Sequence, residues 1–195
     1  MFLDKEYWNK RYVNDASGWD VGDVTTPLKE YFDQLSNKDL KILIPGGGNS
    51  YEAEYLFNKG FKNVFVLDFA SEPLKNIVVR CPEFPVRHLI QQNFFEHEAQ
   101  YDLIIEQTFF CAIDPKLRSL YAKHVAQLLK PGGKLVGVLF DCVFEKEGPP
   151  FGGSKEEYVT YFQPYFRFKT FAPCHNSIKP RAGRELFINL ELNKQ

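Results

Sequence analysis

Two features twenty-two positions apart could together hold a nucleotide-like ligand: the turn Pro45-Gly46-Gly47-Gly48-Asn49-Ser50 and the acidic residue Asp68. Consecutive glycines let the backbone turn tightly and approach a ligand with no Cβ in the way. A helix predicted to follow the turn points its first N–H groups to the same place, which suits a carboxylate. In nucleotide-binding β-α-β units an acidic residue about 20 positions on reaches ribose hydroxyls, and Asp68 stands near that spacing. Each feature alone has a plainer meaning, a tight strand-to-helix turn or an aspartate capping the next helix; the pair is more specific than either. The dinucleotide fingerprint G-x-G-x-x-G is incomplete, because Tyr51 takes the place of its third glycine and would crowd helix-strand packing. A small NAD-binding domain is therefore the weaker nucleotide reading.

These residues need a scaffold, and the apolar runs alternate with helix-period segments in the way of β-α units around a mostly parallel sheet. A short helix is expected near Asp4 to Val13, then a second opened by Thr26 as N-cap with Pro27 at its first position. Leu40 to Ile44 is the first expected strand, followed by the glycine turn and a helix from Ser50 to Asn58 that stops at Lys59-Gly60. Asn63 to Leu67 is the second strand, with Ser71 as cap of the next helix. A third strand is expected near Val86 to Gln92 and a fourth from Tyr101 to Glu106. Asp114-Pro115 opens a long helix to about Leu129, ended sharply by Lys130-Pro131-Gly132-Gly133. Lys134 to Phe140, Phe166 to Phe171 and Glu185 to Leu192 complete seven strands, with a helix over Lys155 to Phe162. Leu186 to Leu192 alternates with a period of two and fits an antiparallel edge or hairpin strand. In doubly wound sheets ligands lie beyond the carboxyl ends of the strands, so the loops after strands one, two and four are the place for a site.

Length and composition narrow the function. With 195 residues, one compact domain is expected, residues 1–195, with 1–38 as an N-terminal cap. Twenty-four basic residues against 25 acidic ones leave no net field to draw the chain to a polyanion, so neither nucleic acid nor a membrane surface is an expected partner. Cys81, Cys111, Cys142 and Cys174 lie about thirty residues apart, too far for a zinc or redox motif, and no metal is expected. The charged start and the lack of an apolar run of about 18 residues point to a cytoplasmic protein; a monomer or weak dimer is the expected state.

The order Pro45-Gly46-Gly47-Gly48, Asp68, Asn93-Phe94, Tyr101 to Glu106 and Leu129-Lys130-Pro131-Gly132-Gly133 resembles class I S-adenosylmethionine (SAM)-dependent methyltransferases over nearly the whole chain. The resemblance implies an α/β fold, a Rossmann-like doubly wound seven-stranded sheet, mostly parallel, with its last strand antiparallel. More closely, Trp19-Asp20-Val21-Gly22 with Thr26-Pro27-Leu28, Phe109-Phe110-Cys111-Ala112-Ile113 and Gly148-Pro149-Pro150-Phe151 look like the thiol and halide methyltransferases of the thiopurine methyltransferase superfamily. By that resemblance Trp8, Tyr12 and Trp19 would close over the cofactor, with Gly46 approaching its methionine part and Gly47 and Gly48 also in the cofactor-binding turn. Asp68 would bind the ribose, Asn93 and Phe94 would lie at the adenine, and Glu106 and Gln107 would line the pocket. Two departures stand out: Gly47 and Asn49-Ser50-Tyr51 occupy a turn that relatives usually write Pro-Gly-Cys-Gly followed by Asp, and Phe151 replaces a Tyr.

The chemistry so implied is methyl transfer to a small acceptor, a thiol or halide, by in-line displacement, in which alignment of two reactants does most of the work. No catalytic side chain is named, because an ionised thiol or a halide needs no general base. His88, His97, His124 and His175 are scattered and read as surface or structural groups. Trp19 and Phe110 are candidate aromatic faces for the sulfonium, at roughly 0.5–2 kcal/mol per ring, with core packing as the plainer reading of Phe110. Phe110, Phe151 and Arg181 are the candidate acceptor-side residues; the plainer reading of the loop from Cys174 to Arg184 is a solvated hairpin. Pro149-Pro150-Phe151 lacks the leading Asp or Asn of amino-group methyltransferases and follows strand five, so it reads as a substrate loop. A non-catalytic SAM-binding sensor or partner protein is the alternative.

Overall fold

A computed structural model describes residues 3–194, and the chain divides after His97 into two compact units. The first unit opens with α1 (Lys5–Val13), capped by the Asp4 carboxylate, which accepts from the Tyr7 N–H at 2.8 Å. In α2 (Thr26–Asp33) the cap is Thr25, one residue earlier than expected, and Pro27 is the second helical residue. Either position accepts proline because the first-turn N–H groups have no intrahelical partner. Then follow β1 (Lys41–Pro45), α3 (Tyr51–Asn58), β2 (Asn63–Asp68), α4 (Ser71–Arg80) and β3 (Leu89–Gln91). β1 and β2 are parallel, in register from Lys41 opposite Asn63 to Pro45 opposite Leu67, and β2 and β3 are parallel too. Ile42, Leu43 and Ile44 are all buried, side chains on both faces of β1 being covered, which is why the strand reads as an unbroken apolar run. Each such side chain contributes about 1.5–3 kcal/mol. β3 is shorter than expected, because Val86–His88 forms a 3-10 turn closed by the His88 N–H on the Pro85 carbonyl at 2.8 Å.

The second unit contains β4 (Tyr101–Gln107), α5 (Arg118–Leu128), β5 (Leu129–Phe140), α6 (Lys155–Phe162), β6 (Phe166–Pro173) and β7 (Glu185–Leu192). Asp114 caps a 3-10 turn, Pro115–Leu117, and α5 begins only at Arg118. β5 starts five residues before the expected Lys134: Leu129 pairs with Tyr101 and Lys134 with Leu103, so Lys130 to Gly133 bulge out between two paired stretches. Gly132 has φ +76°, and the Lys130 ammonium holds both Asp102 carboxylate oxygens at 2.8 and 2.9 Å.

The seven strands are ordered β3-β2-β1-β4-β5-β7-β6. β4 and β5 are parallel, while β7 is antiparallel to both β5 and β6. The seven strands and the antiparallel last strand are as the sequence implied, and β7 meets the hairpin reading by pairing antiparallel with β6, although it is not at the edge. β6 is. Period-two alternation reports that one face is less covered, and an interior antiparallel strand meets that condition as well as an edge strand does. Among the described residues no helix is long and apolar enough to cross a membrane.

Candidate functional site

In the first unit the glycine turn joins β1 to α3, with Gly46 and Gly48 at φ +56° and +54°. The Gly47 N–H reaches across to the Leu67 carbonyl at 3.2 Å. A Cβ at Gly47 would lie 2.6 Å from Val66 Cγ1, so the turn packs against β2 with no space for a side chain. Asp68 ends β2 with its carboxylate aimed at the turn: Oδ2 accepts from the Gly48 N–H at 3.0 Å and Oδ1 from the Ala70 N–H at 2.8 Å. Burial pushes this carboxyl up to about 6, against the backbone N–H groups of Ala70, Gly48 and Phe69, which favour the charged form. Thus Asp68 both fixes the turn and holds the Ala70 N–H just before α4, a helix whose own N-cap residue, Ala70, offers no side-chain cap.

Above Gly48 stands Tyr12, whose hydroxyl occupies the place that a Gly48 Cβ would take. The Tyr12 ring meets Trp19 edge-on at 5.8 Å, and Trp19 meets Trp8 at 5.6 Å, so the three expected cap aromatics form one cluster. The Arg11 guanidinium lies 5.0 Å from the Trp19 ring centroid. Burial, then the charge of Asp68, raise the Tyr12 hydroxyl far above its ordinary range, so it stays protonated. Gly48→Ala is expected to lower stability by about 1–2 kcal/mol, from the left-handed backbone and the displaced Tyr12 hydroxyl. Urea denaturation measures it, and a midpoint equal to that of the wild type would refute this close approach.

Ser50, left out of the sequence-based site, is a second feature of the turn. Its φ is +44°, it is 2% exposed, and its Oγ has no hydrogen-bond partner among the described residues. Asn93 and Phe94 lie beyond β3, where the Asn93 side-chain oxygen accepts from the Phe95 N–H at 3.1 Å and its amide donates to Glu96 at 3.0 Å. Phe94 is buried and packs on Phe95 with centroids 5.3 Å apart.

The second unit is organised around Glu106, near the end of β4. Its carboxylate is fully buried and accepts from the Phe109 N–H and the Phe110 N–H, each at 2.8 Å, and from the Tyr121 hydroxyl at 2.5 Å. Burial drives it up to about 7, opposed by those three donors. Gly137 pairs with Glu106 across β4 and β5, and a Cβ there would collide with the Glu106 carbonyl oxygen. Gln107, next along the strand, is partly exposed. Phe110 is 1% exposed and sits among Tyr121, Tyr158 and Phe162 with centroids 5.2 to 5.6 Å away, so the core-packing reading describes its ring. The partly exposed Phe151 donates its N–H to the Cys111 carbonyl at 2.7 Å. Arg181 is buried beside Glu185 at 3.5 Å, with Phe140 beneath its guanidinium.

Sequence reasoning misses Arg118, because a lone arginine at a helix start carries no motif. It is 1% exposed, ion-paired with Glu157 at 3.0 Å, and donates to the carbonyls of Phe151 and Gly152 at 3.2 and 2.9 Å. Its guanidinium also lies 5.0 Å from the Phe110 ring centroid. The Pro149 to Gly152 loop is therefore tethered from within its own unit.

Residues 3–186 match the thiopurine S-methyltransferase family. The chain belongs to that family. It is 29% identical over 185 residues to the probable thiol methyltransferase 2 of Arabidopsis thaliana, covering 91% of this chain and 81% of that protein. To the thiocyanate methyltransferase 1 of Brassica oleracea it is 26% identical over 184 residues, with the same two coverages of 91% and 81%. Among solved structures, the Burkholderia thailandensis 1,6-didemethyltoxoflavin-N1-methyltransferase with bound S-adenosylhomocysteine has a TM-score of 0.78 at 14% identity, covering 98% of this chain and 88% of that one. Like the rest of the thiopurine S-methyltransferase family, the chain is a SAM-dependent methyltransferase.

Proposed function

We propose that this methyltransferase transfers the methyl group to a small thiol or halide anion, and that the turn at Gly46, Gly47 and Gly48 holds the cofactor. The observation that carries the acceptor class is the closure of Glu106. Glu106, which the resemblance places only at the lining of the pocket, is a carboxylate near the end of β4, and its two oxygens are taken up by Phe109, Phe110 and Tyr121. Of the histidines, His88 packs on Phe65 at 4.3 Å and His97 bonds to Gln92 at 3.1 Å. An acceptor that arrives already ionised needs no base, which favours a thiolate or a halide over an alcohol. The name of the Arabidopsis relative supports a thiol, and that of the Brassica relative names thiocyanate, another acceptor that arrives as an anion.

The residues of the first unit fit the cofactor. The buried, unpartnered Ser50 Oγ and the N–H groups in the first turn of α3 offer donors to a carboxylate, Asp68 a ribose partner, and Trp8, Tyr12 and Trp19 an apolar cover. The bound cofactor supplies a methyl group on a sulfonium; the protein's part is to orient it and exclude water, under the cap of residues 1–38.

The purified protein with SAM and a panel of aromatic and aliphatic thiols, thiopurines, iodide and thiocyanate tests this, with S-adenosylhomocysteine and methylated product measured by mass spectrometry. Turnover of thiols is expected to rise with pH in step with each thiol's own ionisation, and turnover of iodide to be flat over the same range. Saturable SAM binding with no product from any of these acceptors would sink the acceptor class while leaving the cofactor in place.

A further inference from the structure

Asp20 and Asn49 come from segments twenty-nine residues apart and meet side chain to side chain. Asn49 Nδ2 donates to Asp20 Oδ2 at 2.5 Å. The other side-chain oxygens of the pair are engaged too. Asp20 Oδ1 accepts from the Gly22 N–H at 2.8 Å, fixing the bend just after Trp19. Asn49 Oδ1 accepts from the Asn76 amide on α4 at 2.9 Å, and the Asn49 carbonyl oxygen accepts from Arg80 Nη2 at 2.5 Å. Arg80 is in turn ion-paired with Glu54 and lies over the Tyr51 ring at 4.1 Å. The chain of contacts thus runs from the N-terminal aromatic segment, through the residue that follows Gly48, to α3 and α4.

We propose that Asp20 and Asn49 are the catch that holds the Trp8, Tyr12 and Trp19 cluster against the glycine turn, which makes Asn49 a positioning residue for the cofactor. This rests on the reading of the turn as the SAM site. The physical case is one of leverage. α1 buries none of its residues completely, and it is tied to α4 by the Asn9 side-chain oxygen, which accepts from the Glu72 N–H at 3.1 Å. Trp19 stands at the far end of the segment from that tie, and Asp20 is its immediate neighbour. A hydrogen bond to a charged acceptor at that point sets where the indole, and through it the Tyr12 ring, comes to rest above Gly48. The residue at position 49 must therefore both donate to Asp20 and accept from Asn76, and an amide side chain does both.

The test uses the two tryptophans of the chain, Trp8 and Trp19, which are both in the cluster and report its packing without any substrate. Asn49→Asp sets a carboxylate against Asp20 and removes the donor. It is expected to shift the tryptophan emission of the ligand-free protein to longer wavelength and to weaken S-adenosylhomocysteine binding about tenfold, the size of one hydrogen bond to a charged group. The double variant Asp20→Asn with Asn49→Asp reverses the polarity of the bond. The amide then at position 20 can still accept from Gly22 while donating, and the carboxylate then at position 49 can accept both from that amide and from Asn76. The double variant is expected to restore the emission and to bring the affinity back to within about threefold of wild type, a coupling that a general loss of folding does not produce. Unchanged emission in Asn49→Asp, or a double variant no better than the single one, would overturn the catch. A shifted emission with unchanged affinity would overturn the positioning role alone. Wild-type protein that never binds S-adenosylhomocysteine saturably would remove the cofactor from this turn, and that failure is separate because the emission arm needs no ligand.

Discussion

Asp68→Ala is expected to weaken S-adenosylhomocysteine binding by about a hundredfold or more and to abolish most of the thermal shift that this ligand produces in the wild type. Removing the carboxylate leaves the Gly48 and Ala70 N–H groups without their acceptor, and each buried donor so orphaned costs about 1–3 kcal/mol. The turn then keeps the Gly47 N–H bond to the Leu67 carbonyl as its tie to β2, and loses that to Asp68 along with the proposed ribose contact. The two contributions are separable with a ligand lacking the ribose 2′ hydroxyl. If Asp68 reaches the ribose, the penalties for deleting the carboxylate and the hydroxyl are less than additive; if it serves only the turn, they add. A wild-type thermal shift in Asp68→Ala would refute both roles, because ligand-induced stabilisation follows affinity directly.

Removal of Glu106 is expected to be the most damaging single truncation in the second unit. Glu106→Ala strands two backbone N–H groups and the Tyr121 hydroxyl in the interior, a loss of about 3–5 kcal/mol. Glu106→Gln keeps an acceptor for the two N–H groups and gives a sharper result. The wild-type carboxyl is raised by burial from its ordinary 4.5 to about 7 in the folded chain. Because the folded state holds the proton more tightly, this group's contribution is complete below about pH 4.5 and is lost as the pH rises to about 7. The stability difference between wild type and Glu106→Gln should therefore move by about 3 kcal/mol in favour of the glutamine variant between about pH 4.5 and 7.5. Denaturant titrations of both proteins across that range measure it. A constant difference would mean that Glu106 ionises in the folded chain as it does in the unfolded one.

Why a buried carboxylate with this energetic handicap sits there follows from the loop it holds. Thr108 has φ +61°, and the Phe109 and Phe110 N–H groups converge on one point just after it. A carboxylate oxygen can accept from both at once. Phe110 is then delivered into the ring cluster of Tyr121, Tyr158 and Phe162, and Arg118 holds the Phe151 and Gly152 carbonyls against the same cluster. The expected role of Phe110 as a face for the sulfonium has no support in this placement, whereas its neighbours Phe151 and Gln107 retain partial exposure.

What the sequence by itself determined is whatever local periodicity and spacing encode. The buried run Ile42 to Ile44, the three glycines and Asp68 at β-α-β spacing specify strand, turn, helix and strand, because parallel strands covered on both faces and positive-φ turns leave few residue types permissible. The helix over Lys155 to Phe162 and the strand over Glu185 to Leu192 were likewise legible to the residue. What only the tertiary structure decided is the partner of each polar group. No spacing rule pairs Asp20 with Asn49, Arg118 with the Phe151 carbonyl, or Glu106 with Tyr121, and none says that Lys130 to Gly133 fold out as a bulge inside β5 or that β7 lies between β5 and β6. A hydrogen-bonding side chain carries the same donors and acceptors wherever it stands; which one it meets depends on how segments far apart in the chain come together.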